Sequence, residues 1–448
     1  MPPERRLSLS IRAGSLFSRS IFFLKLRGLI AYSFMIKRTN SSRPWPVLLL
    51  FCFLGLAGNG QRPIRAGAER FGVYVPSLAG KAVGIFANQS SRVGSANLVD
   101  TLLRLGVFIK KIFAPEHGFR GTADAGASIA NQKDPETGIP IISLYGKKLK
   151  PSLEDLQDID ILVFDIQDVG VRFYTYVSSL QEFMEAAFEC GKPLLLLDRP
   201  NPNGFYVDGP VLDTAYRSFV GMQPVPVVYG MTLGEYARMI AGEGWLSPQA
   251  NARYAYYQHA QNSPDTPFHF LVIKCSHYNH DSLYRLPIKP SPNLPDMASI
   301  YLYPSLCFFE GTSISLGRGT DKPFQVFGHP DFPTATYEFT PVSREGASDP
   351  PWMGKTCFGF DLGEMDLPAL LDRKLQLKWL LDAYRLLPDK SQFFLNRGTF
   401  FDRLAGGKLL RQQLEEGLSE DQIRKSWQPA LNHFKAIRKK YLLYADFS

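Results

Sequence analysis

The chain has 448 residues, of which 45% are hydrophobic and 21% charged, a composition typical of a globular protein with a sizeable core. Its net charge of +8 comes from residues 1–60, which carry nine lysines and arginines and one acidic residue. Residues 61–448 carry 41 basic and 41 acidic residues, so they give no support for a nucleic-acid-binding face, and we expect no nucleic-acid partner.

Residues 1–65 are predicted to be a leader. From Met35 the sequence reads MIKRTNSSRPWPVLLLFCFLGLAGNGQ, with a positive start, an apolar run and then small residues, which is the pattern of a secretory signal peptide. We interpret the residues before Met35 as an over-extended gene start. The apolar run is shorter than the roughly 20 residues that a stable membrane anchor needs. We therefore expect a periplasmic or secreted protein without a stable membrane span after processing; an uncleaved anchor is the alternative.

Four apolar strands alternate with helical patterns over residues 66–250. In chain order, strands are predicted in AVGIFANQSS, VFIKKIFAPEHG, IDILVFDIQDVG and PLLLLDRPNPNG, and helices in NLVDTLLRLG and SLQEFMEAAFECG. Short apolar strands separated by helices are typical of a parallel sheet that is covered on both faces. We therefore predict a Rossmann-like α/β domain over residues 66–250, without the GxGxxG fingerprint of dinucleotide-binding proteins.

Residues 251–448 are predicted to form a second, smaller α+β domain. Residues 308–341 carry Gly, Thr and Phe in strand-and-loop patterns, and helical spacing appears in LKWLLDAYRLL and WQPALNHFKAIRKKYLLY. Because a cleft between two domains is a common ligand site, we expect the active site there.

Polar side chains follow each of the four predicted strands. Ligands of an open parallel sheet bind outside the carboxyl ends of its strands, so these side chains are expected to share one functional edge. One such group is equally typical of caps and turns, but four together favour a site. The residues are Asn88, Gln89 and Ser90, then Glu116 and His117, then Asp165, Gln167, Asp168 and Arg172, and then Asp198, Arg199, Asn201 and Asn203.

The residue types at this edge favour carbohydrate chemistry. There is no GxSxG elbow, no cysteine beside His117 and no P-loop lysine, so serine, cysteine and phosphate chemistry lack support. The cysteines form no CxxC pair, and we expect neither a metal nor a cofactor. Paired carboxylates with amides, arginine and the tyrosines Tyr174 and Tyr176 suit sugar hydroxyls and an acid-catalysed glycosidic cleavage.

Glu116 is the candidate proton donor. It ends an apolar strand, where partial burial can raise the pKa of a carboxyl group. The alternative is a glutamate that caps a turn or pairs with Arg120. His117 is a second catalytic candidate that orients Glu116 or binds substrate, with a structural hydrogen-bonding role equally open.

Asp168 is the candidate for the second catalytic group, in competition with Asp165. A plain acidic residue at a helix N-terminus is the alternative for Asp168. Arg172 is expected to bind an anionic substituent through a bidentate pair, or else to bridge two loops.

Two loops of the second domain are expected to face Glu116 across the cleft. FFEGTSISLGRGTDKPFQVFGHP places Glu310, Thr312 and Arg318 among glycines that allow close backbone approach to a ligand, although a glycine-rich hairpin is the alternative. KPSPNLPD is a stiff loop that presents Asn293. With Asn88, Gln89, Asp165, Gln167, Arg172 and Tyr174, these four residues complete the predicted substrate-binding set.

The motifs APEHGFRG, FDIQDVGVRFYTY, DRPNPNG, SPNLP and FEGTSISLGRGTDKPFQVFG resemble the NamZ-like exo-β-N-acetylmuramidase family, glycoside hydrolase family 171, formerly a domain of unknown function. The resemblance implies a Rossmann-like domain joined to a smaller domain with the active site in the cleft. It also implies release of N-acetylmuramic acid from the non-reducing end of peptidoglycan fragments, in cell-wall turnover, with Glu116 of the EHG motif as leading catalytic candidate. The lactyl carboxylate of that sugar gives Arg172 or Arg318 an anion to bind.

A different class of protein stays open at this stage. The same polar edge would suit a non-catalytic periplasmic protein that binds peptidoglycan sugars. An esterase or amidase acting on peptidoglycan is the weakest alternative, because the sequence shows no recognisable nucleophile.

Overall fold

The computed structural model describes residues 62–116, 118–120, 132–260 and 269–448, which belong to one compact unit. The predicted leader and His117 lie outside the described residues. The strands are β1 (Val83–Phe86), β2 (Arg92–Val93), β3 (Ala96–Asn97), β4 (Ile109–Ala114), β5 (Gln132–Lys133), β6 (Pro140–Ser143), β7 (Ile161–Phe164), β8 (Leu194–Leu197), β9 (Phe270–Ile273), β10 (Val326–His329), β11 (Tyr337–Phe339) and β12 (Cys357–Asp361).

The helices alternate with strands in the first part of the chain and predominate near its end. They are α1 (Phe71–Tyr74), α2 (Leu98–Arg104), α3 (Leu153–Leu156), α4 (Tyr176–Glu189), α5 (Leu233–Gly242), α6 (Pro248–Ala260), α7 (Met297–Leu306), α8 (Leu367–Leu370), α9 (Leu377–Leu386), α10 (Thr399–Ala405), α11 (Leu409–Glu415) and α12 (Glu420–Lys439).

Seven strands form one sheet in the order β5-β6-β4-β1-β7-β8-β9. All neighbours are parallel except β5, which is antiparallel to β6. The four predicted strands are confirmed as β1, β4, β7 and β8, and they are adjacent in the sheet. The predicted helices correspond to α2 and α4, and Asn97 caps α2 by accepting a hydrogen bond from the Val99 amide.

The sheet is covered on both faces, as the apolar runs predict. Successive residues of β7 alternate between two cores: Leu162 and Phe164 pack with α4, whereas Ile161 and Val163 pack with α2. This alternation is the period of two that a strand imposes on its side chains. The fold class is therefore the predicted α/β layer structure.

The C-terminal part adds the antiparallel sheet β10-β12-β11 and helices α7 to α12. Most of its buried apolar residues belong to the same core as α4, whereas Val326, Phe339 and Cys357 of the antiparallel sheet form a small separate cluster. The domain boundary at residue 250 stays a prediction. Strand β9 lies after residue 250 in the chain but pairs with β8 of the parallel sheet. None of the helices in the described ranges combines the length and the apolar character that crossing a membrane requires.

Candidate active site

A cavity of about 250 Å³ lies where the carboxyl ends of β4, β6 and β7 meet loops of the C-terminal part. Both aromatic and polar side chains line it, so the cavity can contact both the apolar face and the hydroxyl groups of a small ligand. Its lining residues are Glu116, Tyr145, Phe173, Tyr174, Thr175, Tyr176, Val220, Ser291, Asn293, Leu294, Tyr303, Glu310, Arg318 and Phe324.

Glu116 reaches this cavity two residues after β4 ends. Tyr145, two residues after β6, hydrogen-bonds to the Glu116 carboxylate. Burial and the neighbouring Glu116 charge raise the pKa of Tyr145 to about 12, so its phenol stays protonated and donates. The candidate proton donor is therefore oriented by a neighbouring strand of the same sheet.

Tyrosines form one side of the cavity. The Tyr174 hydroxyl donates to the Pro290 carbonyl at 3.1 Å, and the Tyr174 and Tyr176 rings meet edge to face at 4.7 Å. Behind them, the Asn88 amide donates to the Tyr176 hydroxyl at 2.8 Å. Tyr174 thus lines the cavity as predicted, whereas Asn88 is fully buried and supports the tyrosines from behind.

Glu310 and Arg318, which also line the cavity, form an ion pair. The Arg318 guanidinium also lies over the Phe324 ring, 5.0 Å from its centroid. Phe324 has a φ of 55°, a left-handed conformation that is a genuine outlier for a bulky residue. Strained backbone of this kind clusters at ligand sites and indicates that the wall is held in a specific shape.

The neighbouring Asn293 also reaches the cavity, as predicted, and its side-chain amide donates to the Gly346 carbonyl at 2.8 Å. Thr312 lies instead on a second, more apolar cavity of about 400 Å³. Glu310 and Arg318 belong to the walls of both cavities.

Most of the polar residues at the strand ends tie the loops to one another. Both Asp165 carboxylate oxygens accept from Arg199, at 2.7 and 2.8 Å, and both side chains are buried. Gln167 donates to the Pro200 carbonyl at 2.8 Å, and Gln89 to the Pro290 carbonyl at 2.9 Å. Asp165, Gln167 and Gln89, predicted to contact substrate, are therefore brought together at this edge but outside the cavity wall.

Asp168, the predicted second catalytic group, is 5% exposed and lies outside the cavity wall. Its Oδ2 accepts from the Gly170 amide at 2.7 Å and from the Tyr229 hydroxyl. Its Oδ1 is buried without a hydrogen bond from any described residue. Burial raises the pKa of Asp168 to about 6.

Arg172 lies away from the cavity, with 1% of its surface exposed. Its guanidinium donates to the carbonyls of Val225 at 2.7 Å, Leu404 at 2.8 Å and Pro210 at 3.0 Å. The guanidinium that the sequence assigned to an anionic substituent thus joins main-chain segments, which corresponds to the bridging alternative.

Several cavity residues escaped the sequence analysis, among them Tyr145, Ser291, Tyr303 and Phe324. Tyr145 could have been found, because PIISLYG has the same form as the other strands: an apolar run followed by a polar residue. The other three follow no strand of the sheet, and their sequence carries no comparable signal.

The cavity at the edge of this mostly parallel sheet is lined by aromatic rings and by two carboxylates, Glu116 and Glu310, the residue types that glycoside hydrolases use. The family models for the exo-beta-N-acetylmuramidase NamZ match the chain, the N-terminal model over residues 83–298 and the C-terminal model over residues 301–444. The chain belongs to this family.

Relatives cover most of the chain. It is 37% identical over 389 residues to the peptidoglycan beta-N-acetylmuramidase NamZ of Bacillus subtilis. The alignment covers 83% of this chain and 89% of the Bacillus subtilis protein. A crystal structure of a DUF1343 family protein from Bacteroides fragilis is 44% identical with a TM-score of 0.76, covering 86% of this chain and 99% of the other. A second one from the same organism is 28% identical with a TM-score of 0.67, covering 85% and 99%.

Proposed function

We propose that this protein is an exo-acting β-N-acetylmuramidase that hydrolyses terminal non-reducing N-acetylmuramic acid from peptidoglycan fragments, in cell-wall turnover. Membership of the family and the 37% identity to the Bacillus subtilis enzyme support this activity. Within the molecule, the main supporting observation is that Tyr145 hydrogen-bonds to Glu116 in a cavity that Glu310 also lines.

The size of the cavity supports removal of single sugars. Pockets for drug-sized ligands measure roughly 300–1,000 Å³, and this one measures about 250 Å³. A volume below that range suits one sugar ring better than an extended glycan. The enzyme would therefore hold the terminal residue and leave the remaining glycan outside.

Arg318 is the proposed specificity residue for the lactyl carboxylate of N-acetylmuramic acid. Of the two arginines considered from the sequence, Arg318 lines the cavity and Arg172 does not. A guanidinium presents five donors in a fixed fork that matches a carboxylate, and donors remain after one of them has bonded to Glu310.

We also propose that the protein acts outside the inner membrane. The signal-peptide pattern from Met35 supports this location, as does the location of peptidoglycan. Mass spectrometry of the mature N-terminus in cell fractions would test it. A terminus shortly after residue 56 in the periplasm or medium is expected, and an uncleaved cytoplasmic protein would contradict it.

Release of 4-nitrophenol from 4-nitrophenyl β-N-acetylmuramide tests the proposed activity. Purified protein is expected to cleave this substrate and to spare the matching N-acetylglucosaminide, which lacks the lactyl group. A folded protein that binds N-acetylmuramic acid but cleaves neither this substrate nor muramic-acid-ended glycan fragments would be a sugar-binding protein.

A further inference from the structure

Two carboxylates face the cavity among the residues that the structure describes, Glu116 and Glu310. Most glycoside hydrolases pair a proton donor with a second carboxylate that flanks the glycosidic bond. Asp165 and Asp168, the predicted candidates for that second group, are buried and do not line the cavity. Among the described residues, Glu310 is therefore the carboxylate that lines this cavity together with Glu116.

Glu310 is attached to a rigid part of the wall. It belongs to the 3₁₀ helix Cys307–Gly311, which continues from α7. A Cβ atom added to Gly311 would meet the Phe401 Cα at 2.5 Å, so this backbone packs directly on α10. A site built on tightly packed elements holds its reactive group with the precision that catalysis needs.

The partners of Glu310 keep its carboxylate in one orientation. Arg318 donates to Oε1, and the buried Cys307 thiol donates to Oε2 at 3.5 Å. Arg318 lies between Gly317 (φ 69°) and Gly319 (φ 79°), two left-handed positions that suit glycine. The resulting tight loop aims the guanidinium at Glu310.

We propose that Glu310 is the second catalytic carboxylate and acts as the general base, an inference that rests on the proposed function. As the C1–O bond breaks, its electron pair passes to the leaving oxygen, which takes the proton of Glu116. A water oxygen forms the new bond to C1 from the opposite face and gives one proton to Glu310. Return of that proton through solvent to Glu116 restores both groups.

The stereochemistry of the wild-type reaction gives the first test. A single displacement by water inverts the anomeric carbon, so the β-linked substrate must first release α-N-acetylmuramic acid. Proton NMR during the first minutes of hydrolysis distinguishes the anomers before they equilibrate. Initial release of the α anomer is expected, and initial release of the β anomer would overturn the general-base role.

Variants give the second test. Glu310→Gln is expected to lower kcat by roughly 10²–10⁴-fold, the contribution of a general base, while binding of N-acetylmuramic acid and the circular dichroism spectrum stay unchanged. Glu338→Gln, an exposed carboxylate on β11, is the matched control and should retain full activity. Near wild-type activity of Glu310→Gln would overturn the inference and leave the proposed function intact.

Azide distinguishes a chemical role of Glu310 from a structural one. Azide needs no deprotonation, so it should restore activity to Glu310→Ala and yield the α-glycosyl azide. Absence of rescue in a folded, sugar-binding variant, or a β-glycosyl azide, would place the second catalytic group elsewhere. Lack of any activity in the wild type would instead contradict the proposed function itself.

Discussion

The Tyr145 hydroxyl donates a hydrogen bond to the Glu116 carboxylate, although the two residues lie on loops after different strands, β6 and β4. The strands are parallel neighbours, with Ala114 paired to Ser143, so both loops leave the sheet at the same edge. The contact is therefore a consequence of sheet topology. The hydrogen bond orients the candidate acid Glu116 through a neutral partner, the Tyr145 phenol.

Removal of the Tyr145 hydroxyl should slow catalysis without unfolding the protein. In Tyr145→Phe the ring remains, but Glu116 loses a hydrogen bond that orients it, and we expect kcat to fall about 10-fold with little change in KM. Steady-state kinetics on the 4-nitrophenyl muramide measures this. Tyr337→Phe, a tyrosine of β11 outside the cavity wall, is the control; equal activity of both variants would show that the contact is not used.

Arg318→Gln should weaken selectivity for the muramic acid over the glucosamine. A hydrogen bond to a charged group contributes about 1.5–3 kcal/mol, so we expect the ratio of the two sugars' Kd values to change by roughly 10-fold or more. Isothermal titration calorimetry with both sugars measures the ratio. Loss of the Glu310 partner affects both sugars alike, so an unchanged ratio would exclude Arg318 as the residue that binds the lactyl group.

Arg172→Met should lower the stability of the protein without changing its selectivity between the two sugars. The carbonyls of Val225, Leu404 and Pro210 would lose their buried donor, and an unsatisfied buried polar group costs about 1–3 kcal/mol. We expect the free energy of unfolding to fall by about 3 kcal/mol or more and the Kd ratio to stay constant. Urea denaturation measures the free energy of unfolding, and calorimetry measures the Kd ratio of the two sugars. A changed Kd ratio would indicate that Arg172 contacts the substrate.

Asp168 should make stability depend on pH. Its pKa is raised from 3.8 to about 6 in the folded protein, so the native state binds its proton more tightly than the unfolded state does. The stabilisation is fully present below about pH 4 and is lost as the pH rises through 6, a change of roughly 3 kcal/mol. Asp168→Asn cannot titrate, so its stability relative to wild type should improve by that amount between about pH 4 and pH 8. Urea denaturation of both proteins at the two pH values measures this change. If the difference in stability between variant and wild type were the same at both pH values, the raised pKa of Asp168 would be contradicted.

The fold was predictable where apolar runs were long and bounded by turns. β1, β4, β7 and β8 were identified, because each is a fully or largely buried strand of a parallel sheet. β6 was missed because PIIS is short and lies between proline and glycine signals. β9 was missed although FLVI is an apolar run, because that run lies within a Pro- and His-rich segment.

The site was predictable at the level of the sheet edge but not of the single side chain. The strand-end rule selected Glu116, which lines the cavity, but also Asp165 and Gln167, whose hydrogen bonds go to neighbouring loops. The sequence specifies a polar group at the edge, whereas the path of each loop decides whether that group meets a ligand or another loop. Arg172 shows this clearly: its backbone amide pairs with the Val227 carbonyl, and its side chain points to other carbonyls.

The most direct test of the account is the dependence of Glu116→Gln on the leaving group. A general acid matters most when the departing oxygen is a poor leaving group. We therefore expect the loss of kcat/KM to be much larger for a β-linked N-acetylmuramyl-N-acetylglucosamine disaccharide than for the 4-nitrophenyl muramide, with N-acetylmuramic acid still bound. Equal losses for both substrates, or an active variant, would contradict the assignment of Glu116 as the proton donor.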